Sequence, residues 1–266
     1  MGYIRKMLLG AGAVAAIAAT TVAVRTANHQ PALVGNGSGI ALAAAPSVDV
    51  RAAAARLGEA VRFQTISNQD KADNIVAEWD KLRAWLVATY PAAHRAMQRE
   101  VIAEGTLIYH WPGSDPALQP IILMAHQDVV PVTAGTEADW KHPPFGGVIA
   151  DDAVWGRGTV DDKGSLIALF EAFEGLAASG FAPRRSVYLV SANDEEVSGG
   201  GAEAAAAWLA ERKVRALFTL DEGSAIILDA PIVNGPAILI GVAEKGYATL
   251  QLTANAAGGH SSMPPT

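Results

Sequence analysis

The chain has no cysteine. A disulfide framework and a thiolate metal site are both excluded, and any metal ion must be taken by imidazole and carboxylate. Basic residues are the scarcer charge: 20 Lys and Arg stand against 27 Asp and Glu, for a formal net charge of −7. A phosphate-binding surface needs clustered Lys and Arg, so this balance argues against nucleic acid as a partner. Charged residues make up only 18% of the 266 positions and apolar ones 50%, which is ample for one large domain or two modest ones.

Arg5 and Lys6 precede Met7–Val24, an Ala- and Val-rich run without a charge. The run can just cross a bilayer as a helix, and its basic flank predicts a cytoplasmic N-terminus. Segment 1–24 therefore reads as a membrane anchor or a signal, with Ala-x-Ala sites recurring around Ala41 to Ala45. Either way the rest is exported, membrane-anchored or periplasmic or extracellular. Residues 25–47, rich in Gly, Ala, Pro and Ser, suit a linker.

A catalytic domain is expected over 48–248. Apolar spacing predicts helices at Ala52–Phe63 and at Ile75–Tyr90, where Ile75, Trp79, Leu82 and Leu86 share a face. Strands are expected at Val101–Tyr109, Pro120–Ala125, Ser186–Ser191 and Ala216–Leu220, and further helices at Ser165–Leu176 and Ala202–Arg212. This alternation predicts an α/β fold with a mostly parallel sheet flanked by helices. Tyr109 and Trp111 are expected to pack, and Trp140–Phe145, with His142, to form a loop able to lie beside a site.

Chemistry gathers where these strands end. His126 and Asp128 lie two apart on extended backbone, hence on one side, so one imidazole nitrogen can meet a metal while the carboxylate orients the ring. In Gly156-Arg157-Gly158-Thr159-Val160-Asp161-Asp162 the glycines let the backbone turn and carry a carboxylate into a cleft. Three consecutive acids, Asp194-Glu195-Glu196, repel one another unless a cation or a shared proton relieves them. One of the two Glu can ligate a metal and the other act as general base, and spacing does not say which. Asp221-Glu222 closes the fourth strand. All four groups fall at carboxyl ends of strands, where open α/β sheets place their ligands.

Together with Gly258-Gly259-His260-Ser261-Ser262, these stretches resemble the M20 family of metallopeptidases, from about Val48 to the end. Leu220-Asp221-Glu222-Gly223 and Phe63-Gln64-Thr65-Ile66-Ser67 resemble the branch holding carboxypeptidase S and the N-acyl amino acid hydrolases. The resemblance implies two zinc ions and cleavage of an amide bond in a peptide or N-acyl amino acid. It implies His126, Asp161, Glu196 and Asp221 as metal ligands, with Asp161 bridging and Glu222 as the alternative to Asp221. It makes Glu195 the general base, Asp128 the residue that orients His126, and Asp162 the source of the turn behind Asp161. An inserted α+β lid domain is implied over 249–266, with His260 donating to the substrate and a homodimer formed through the lid.

The family pattern also calls for a last zinc-binding His and a substrate-carboxylate Arg after His260, and neither follows. The expectation is an N-terminal part of a longer enzyme, inactive alone and exposing apolar surface. Two other readings stand beside it. One is a membrane-tethered protein that keeps the fold without turnover. The other is a carboxylate-rich magnesium phosphohydrolase, against which the imidazole of His126 argues.

Overall fold

The structure, a computed structural model, describes residues 2–28, 47–223, 227–230, 235–238, 240–243 and 250–253. The chain divides into two units, Met1–Ala45 and Pro46–Thr266. In the first, Gly2–Asn28 is a single helix, α1. Among the described residues no helix is long and apolar enough to cross a membrane.

The second unit opens with α2 (Val50–Val61), whose first turn is capped by Asp49: its carboxylate accepts the N–H groups of Arg51 and Ala52, each at 3.1 Å. Helix α3 (Val76–Thr89) buries Trp79, Leu82 and Leu86, the face that the spacing predicts. Helix α4 (Pro91–Ala96) was not foreseen. It is too short to show a period, and its cap comes from afar, as Glu174 accepts the N–H groups of Ala92 and Ala93 at 3.1 and 2.8 Å.

Strands β1 (Gln98–Ile102) and β2 (Thr106–Trp111) pair as an antiparallel hairpin. The sequence pattern had suggested one strand over Val101–Tyr109. The chain instead turns at Ala103 and Glu104, which take the left-handed φ values of 43° and 64°. After β3 (Ile121–Met124), a separate ribbon is made by β4 (Val148–Ala150) and β5 (Ala153–Trp155). Then come α5 (Lys163–Ala178), β6 (Val187–Ser191), α6 (Gly201–Glu211) and β7 (Thr219–Leu220).

The main sheet runs β1-β2-β6-β3-β7. It is mixed rather than mostly parallel, because the unforeseen hairpin adds antiparallel pairings beside the parallel β6-β3-β7 part. Alternation along the strands sends Leu107, Tyr109, Trp111 and Leu189 to one face, where they pack with Leu82, Leu86, Tyr90, Leu166 and Phe170 of the helices. Ile108, Tyr188 and Val190 face the other way, toward Ala205 and Trp208 of α6. Helices thus cover both faces, and the loops at the carboxyl ends of β3, β6 and β7 share one rim. Leu217, Phe218 and Leu220, on or beside the edge strand β7, are about half exposed.

A candidate metal centre at the sheet rim

Beyond β3 the ladder continues for two more bonds, Ala125 N–H to the Val190 carbonyl at 3.2 Å and Gln127 N–H to the Ala192 carbonyl at 2.8 Å. The Gln127 side chain is fully buried and donates to the Gly105 and Ser191 carbonyls at 3.1 and 2.7 Å, tying the loop to the hairpin turn and to β6. His126, between these bonds, turns its own N–H to Asp162 Oδ2 at 3.3 Å. Its ring is buried, with Nδ1 3.0 Å from the Asp128 carbonyl and 3.3 Å from Asp128 Oδ1.

Nε2 of His126 is left facing a ring of acids. Asp161 Oδ1 lies 2.8 Å away, Glu222 Oε1 3.6 Å and Glu195 Oε2 4.0 Å. Two overlapping donor groups result, His126 with Asp161 and Glu196, and His126 with Glu195 and Glu222; within each, the ligand atoms lie within 4.8 Å of one another.

Two features of the backbone hold this arrangement. Gly158 sits at φ +87°, and a Cβ there would lie 2.6 Å from Val129 Cγ1, so only glycine lets the Gly156–Asp162 loop pass so close to the His126 loop. The Asp161–Asp162 peptide bond is cis. Lys163, which follows it, is fully buried and donates from Nζ to the Ala60 carbonyl at 3.0 Å and to that of Phe63, anchoring the start of α5 to the end of α2.

Asp128 joins the two acidic loops to the imidazole. It is fully buried, and its oxygens accept the N–H groups of Glu195 and Glu196, each at 3.1 Å, and the Ser67 hydroxyl at 2.5 Å. Burial alone would raise its pKa. His126, Ser67 and the Glu196 N–H outweigh that and hold it below the usual carboxylate range.

The remaining acids are crowded. Burial, then the charge of Asp161, pushes Glu222 up to about 7. Burial likewise raises Glu195 and Glu196, with neighbouring carboxylates adding to it. The pKa of His126 rises as well: burial lowers it, but its hydrogen bonds to Asp128 and Asp161 prevail and push it up to about 10. Carboxylates strained toward protonation around a single imidazole form a site short of positive charge, and a nitrogen-and-oxygen donor set of this kind fits a divalent zinc ion.

Of the residues singled out in the sequence, His126, Asp128, Asp161, Glu195 and Glu196 converge here. Asp221 does not join either donor group; its Oδ1 accepts the N–H of Glu222 at 2.9 Å, and Glu222 takes the place beside the imidazole. His142 lies against Trp155, ring centroids 5.2 Å apart, and belongs to neither group. His260 and the start of the lid at 249 lie outside the described residues. Ser67 was missed as a participant, although the spacing of Thr65 and Ser67 in an extended segment places both on one side.

Comparison with known proteins now gives this geometry a family. The model of peptidase family M20/M25/M40 matches residues 122–244. A probable carboxypeptidase S-like protein of Dictyostelium discoideum is 40% identical over 217 residues, 79% of this chain and 41% of the relative. The human N-fatty-acyl-amino acid synthase/hydrolase is 45% identical over 170 residues, 64% of this chain and 33% of that protein. The chain thus spans well under half the length of these relatives. Human carnosine dipeptidase 1 shares the fold, with a TM-score of 0.56 at 18% identity over 66% of this chain and 39% of that one. The rim that gathers His126, Asp161 and Glu196 is therefore part of an M20 peptidase domain, and the chain belongs to peptidase family M20/M25/M40.

Proposed function

We propose that this chain supplies most of the active site of a di-zinc hydrolase that cleaves the amide bond of a peptide or an N-acyl amino acid, as a carboxypeptidase or aminoacylase does. The observation that carries the proposal is the convergence of Asp161, Glu195, Glu196 and Glu222 on His126, whose Nε2 would serve one ion and leave surplus carboxylates for a second. An imidazole among carboxylates suits zinc better than magnesium, which prefers oxygen ligands and water. When bound, zinc supplies Lewis acidity, lowering the pKa of a water and polarising a carbonyl.

The chain's own residues do the rest. Asp128 fixes the ring of His126 and, through two N–H groups, the turn that presents Glu195 and Glu196. Asp161, nearest to His126 Nε2, and Glu196 would hold metal beside the imidazole in this reading. Glu195 is the general base: burial raises its pKa toward working pH, so it takes a proton from water and returns it to the leaving amine as the carbon–nitrogen bond breaks.

The names of the relatives, a carboxypeptidase and an enzyme of N-fatty-acyl amino acids, support the substrate class. In the same reading His260 reaches the substrate across a homodimer formed by the lid, and segment 1–24 exports or tethers the protein; both rest on the sequence. Zinc content after gel filtration, with hydrolysis assays on dipeptides and N-acyl amino acids, tests the proposal. We expect zinc to bind, and cleavage of amides rather than of phosphate esters. A preference for magnesium with turnover of phosphate esters would overturn it.

A further inference from the structure

Asp128 is a carboxylate held by three hydrogen-bond donors and one ion-pair contact, and one of these four partners comes from outside the acidic rim. Oδ1 accepts the Glu195 N–H at 3.1 Å and lies 3.3 Å from His126 Nδ1. Oδ2 accepts the Glu196 N–H at 3.1 Å and the Ser67 hydroxyl at 2.5 Å. The other partners belong to the residues that Asp128 positions, and only Ser67 brings an independent foothold.

That foothold is itself fixed. Ser67 is 1% exposed, its N–H donates to the Val129 carbonyl at 3.2 Å, and the Val129 N–H donates to the Thr65 carbonyl at 3.0 Å. Ile66 pairs with Val129 as a parallel bridge, and the Thr65 hydroxyl donates to the Gln127 carbonyl at 2.7 Å. The segment after α2 is thus laid as an extra strand along the His126 loop. Its two hydroxyls divide the work: Thr65 holds the loop's backbone, and Ser67 holds the carboxylate that meets both Nδ1 of the imidazole and the N–H groups of the Glu pair.

We infer that Ser67 is a positioning residue of the metal centre: it locks the Asp128 carboxylate so that a single side chain aligns His126 Nε2 with Glu195 and Glu196. The inference rests on the metal-site reading above. Without the hydroxyl, Asp128 Oδ2 keeps one donor in a space that water does not reach, the carboxylate is free to tilt, and both the ring and the Glu turn tilt with it. Partners of this kind typically change metal affinity by about 10- to 100-fold.

The test is a titration of the 266-residue chain with cobalt(II), followed by its visible absorption bands, with zinc affinity measured by competition and unfolding of the metal-free chain recorded beside them. Ser67→Ala is expected to lose about 10- to 100-fold in affinity and to shift the cobalt bands, and Ser67→Thr, which keeps the hydroxyl, to recover most of the affinity. Tyr109→Phe, which removes a buried hydroxyl bonded to His94 in the core and touches no residue of the rim, is expected to lower the unfolding temperature while leaving the bands in place. If Ser67→Ala does not fold, Ser67→Cys, a weaker donor of similar shape, reads the same loss. Wild-type affinity and unshifted bands in the Ser67 variants would overturn the inference and leave the metal site standing. A wild-type chain that takes up neither ion would overturn the metal-site reading, and this inference with it.

Discussion

Glu222 Oε1 stands 3.6 Å from His126 Nε2, while its neighbour Asp221 accepts the Glu222 N–H and enters neither donor group. Of the two, it is Glu222 whose carboxylate shares a donor group with the imidazole. We therefore expect Glu222→Gln to weaken zinc or cobalt binding more than Asp221→Asn does. Competition titrations on both variants check this, and the reverse order would return the ligand role to Asp221.

The split of roles within Glu195-Glu196 gives a second expectation. Both N–H groups are held by Asp128, so the turn stays in place when one side chain is neutralised. Glu195→Gln should retain metal, since His126, Asp161 and Glu196 remain, and should lower amide turnover by about 10²- to 10⁴-fold, the range of a lost general base. Glu196→Gln should lose metal as well as turnover. Metal content measured beside kcat separates the two, and a fully active Glu195→Gln enzyme would transfer the base to another residue.

Protonation and metal uptake compete at this rim. Glu222 is pushed up to about 7 by burial and Asp161, and His126 to about 10 by Asp128 and Asp161 against its burial. Both must lose their protons to bind an ion, so affinity rises with pH, and at pH 7 binding releases protons. Calorimetry in two buffers of different ionisation enthalpy should show heats that differ by that release. Stability carries the matching sign. A carboxyl raised from 4.5 to about 7 on folding leaves the unfolded chain ionised and the folded one protonated between those values, so its contribution falls as pH rises through that window. Metal-free Glu222→Gln should therefore gain on the wild type in unfolding temperature between pH 5 and 7, and parallel curves would refute the assignment.

Much of this rim was legible because each cluster is local: an apolar run, then the acids or imidazole at its end. His126, Asp128, Asp161, Glu195 and Glu196 were found that way. What escaped needed partners far along the chain. The β1-β2 hairpin turns on left-handed Ala103 and Glu104, residues with no turn signature, and α4 takes its cap from Glu174. Ser67 touches Asp128 across 61 positions of sequence, and a serine in an extended segment announces nothing until the fold brings its partner to it. That Glu222 stands beside the imidazole and Asp221 outside both donor groups follows from how the chain leaves β7, which the pair Asp221-Glu222 does not announce.

Gly158 offers a check on the rim that involves no ligand at all. Its φ of +87° costs an alanine roughly 1 to 3 kcal/mol of backbone strain. The added Cβ would also lie 2.6 Å from Val129 Cγ1, and Val129 is a fully buried residue whose backbone is bonded to Thr65 and Ser67 on the other side. Relief by moving Val129 would drag the bridge that steadies Asp128, whereas relief by moving the glycine loop would displace Asp161. Gly158→Ala should therefore lower both the unfolding temperature and the metal affinity, with cobalt bands shifted toward those of Ser67→Ala if the bridge yields. A variant that loses stability but binds cobalt as the wild type does would mean that the two loops meet without being mechanically coupled.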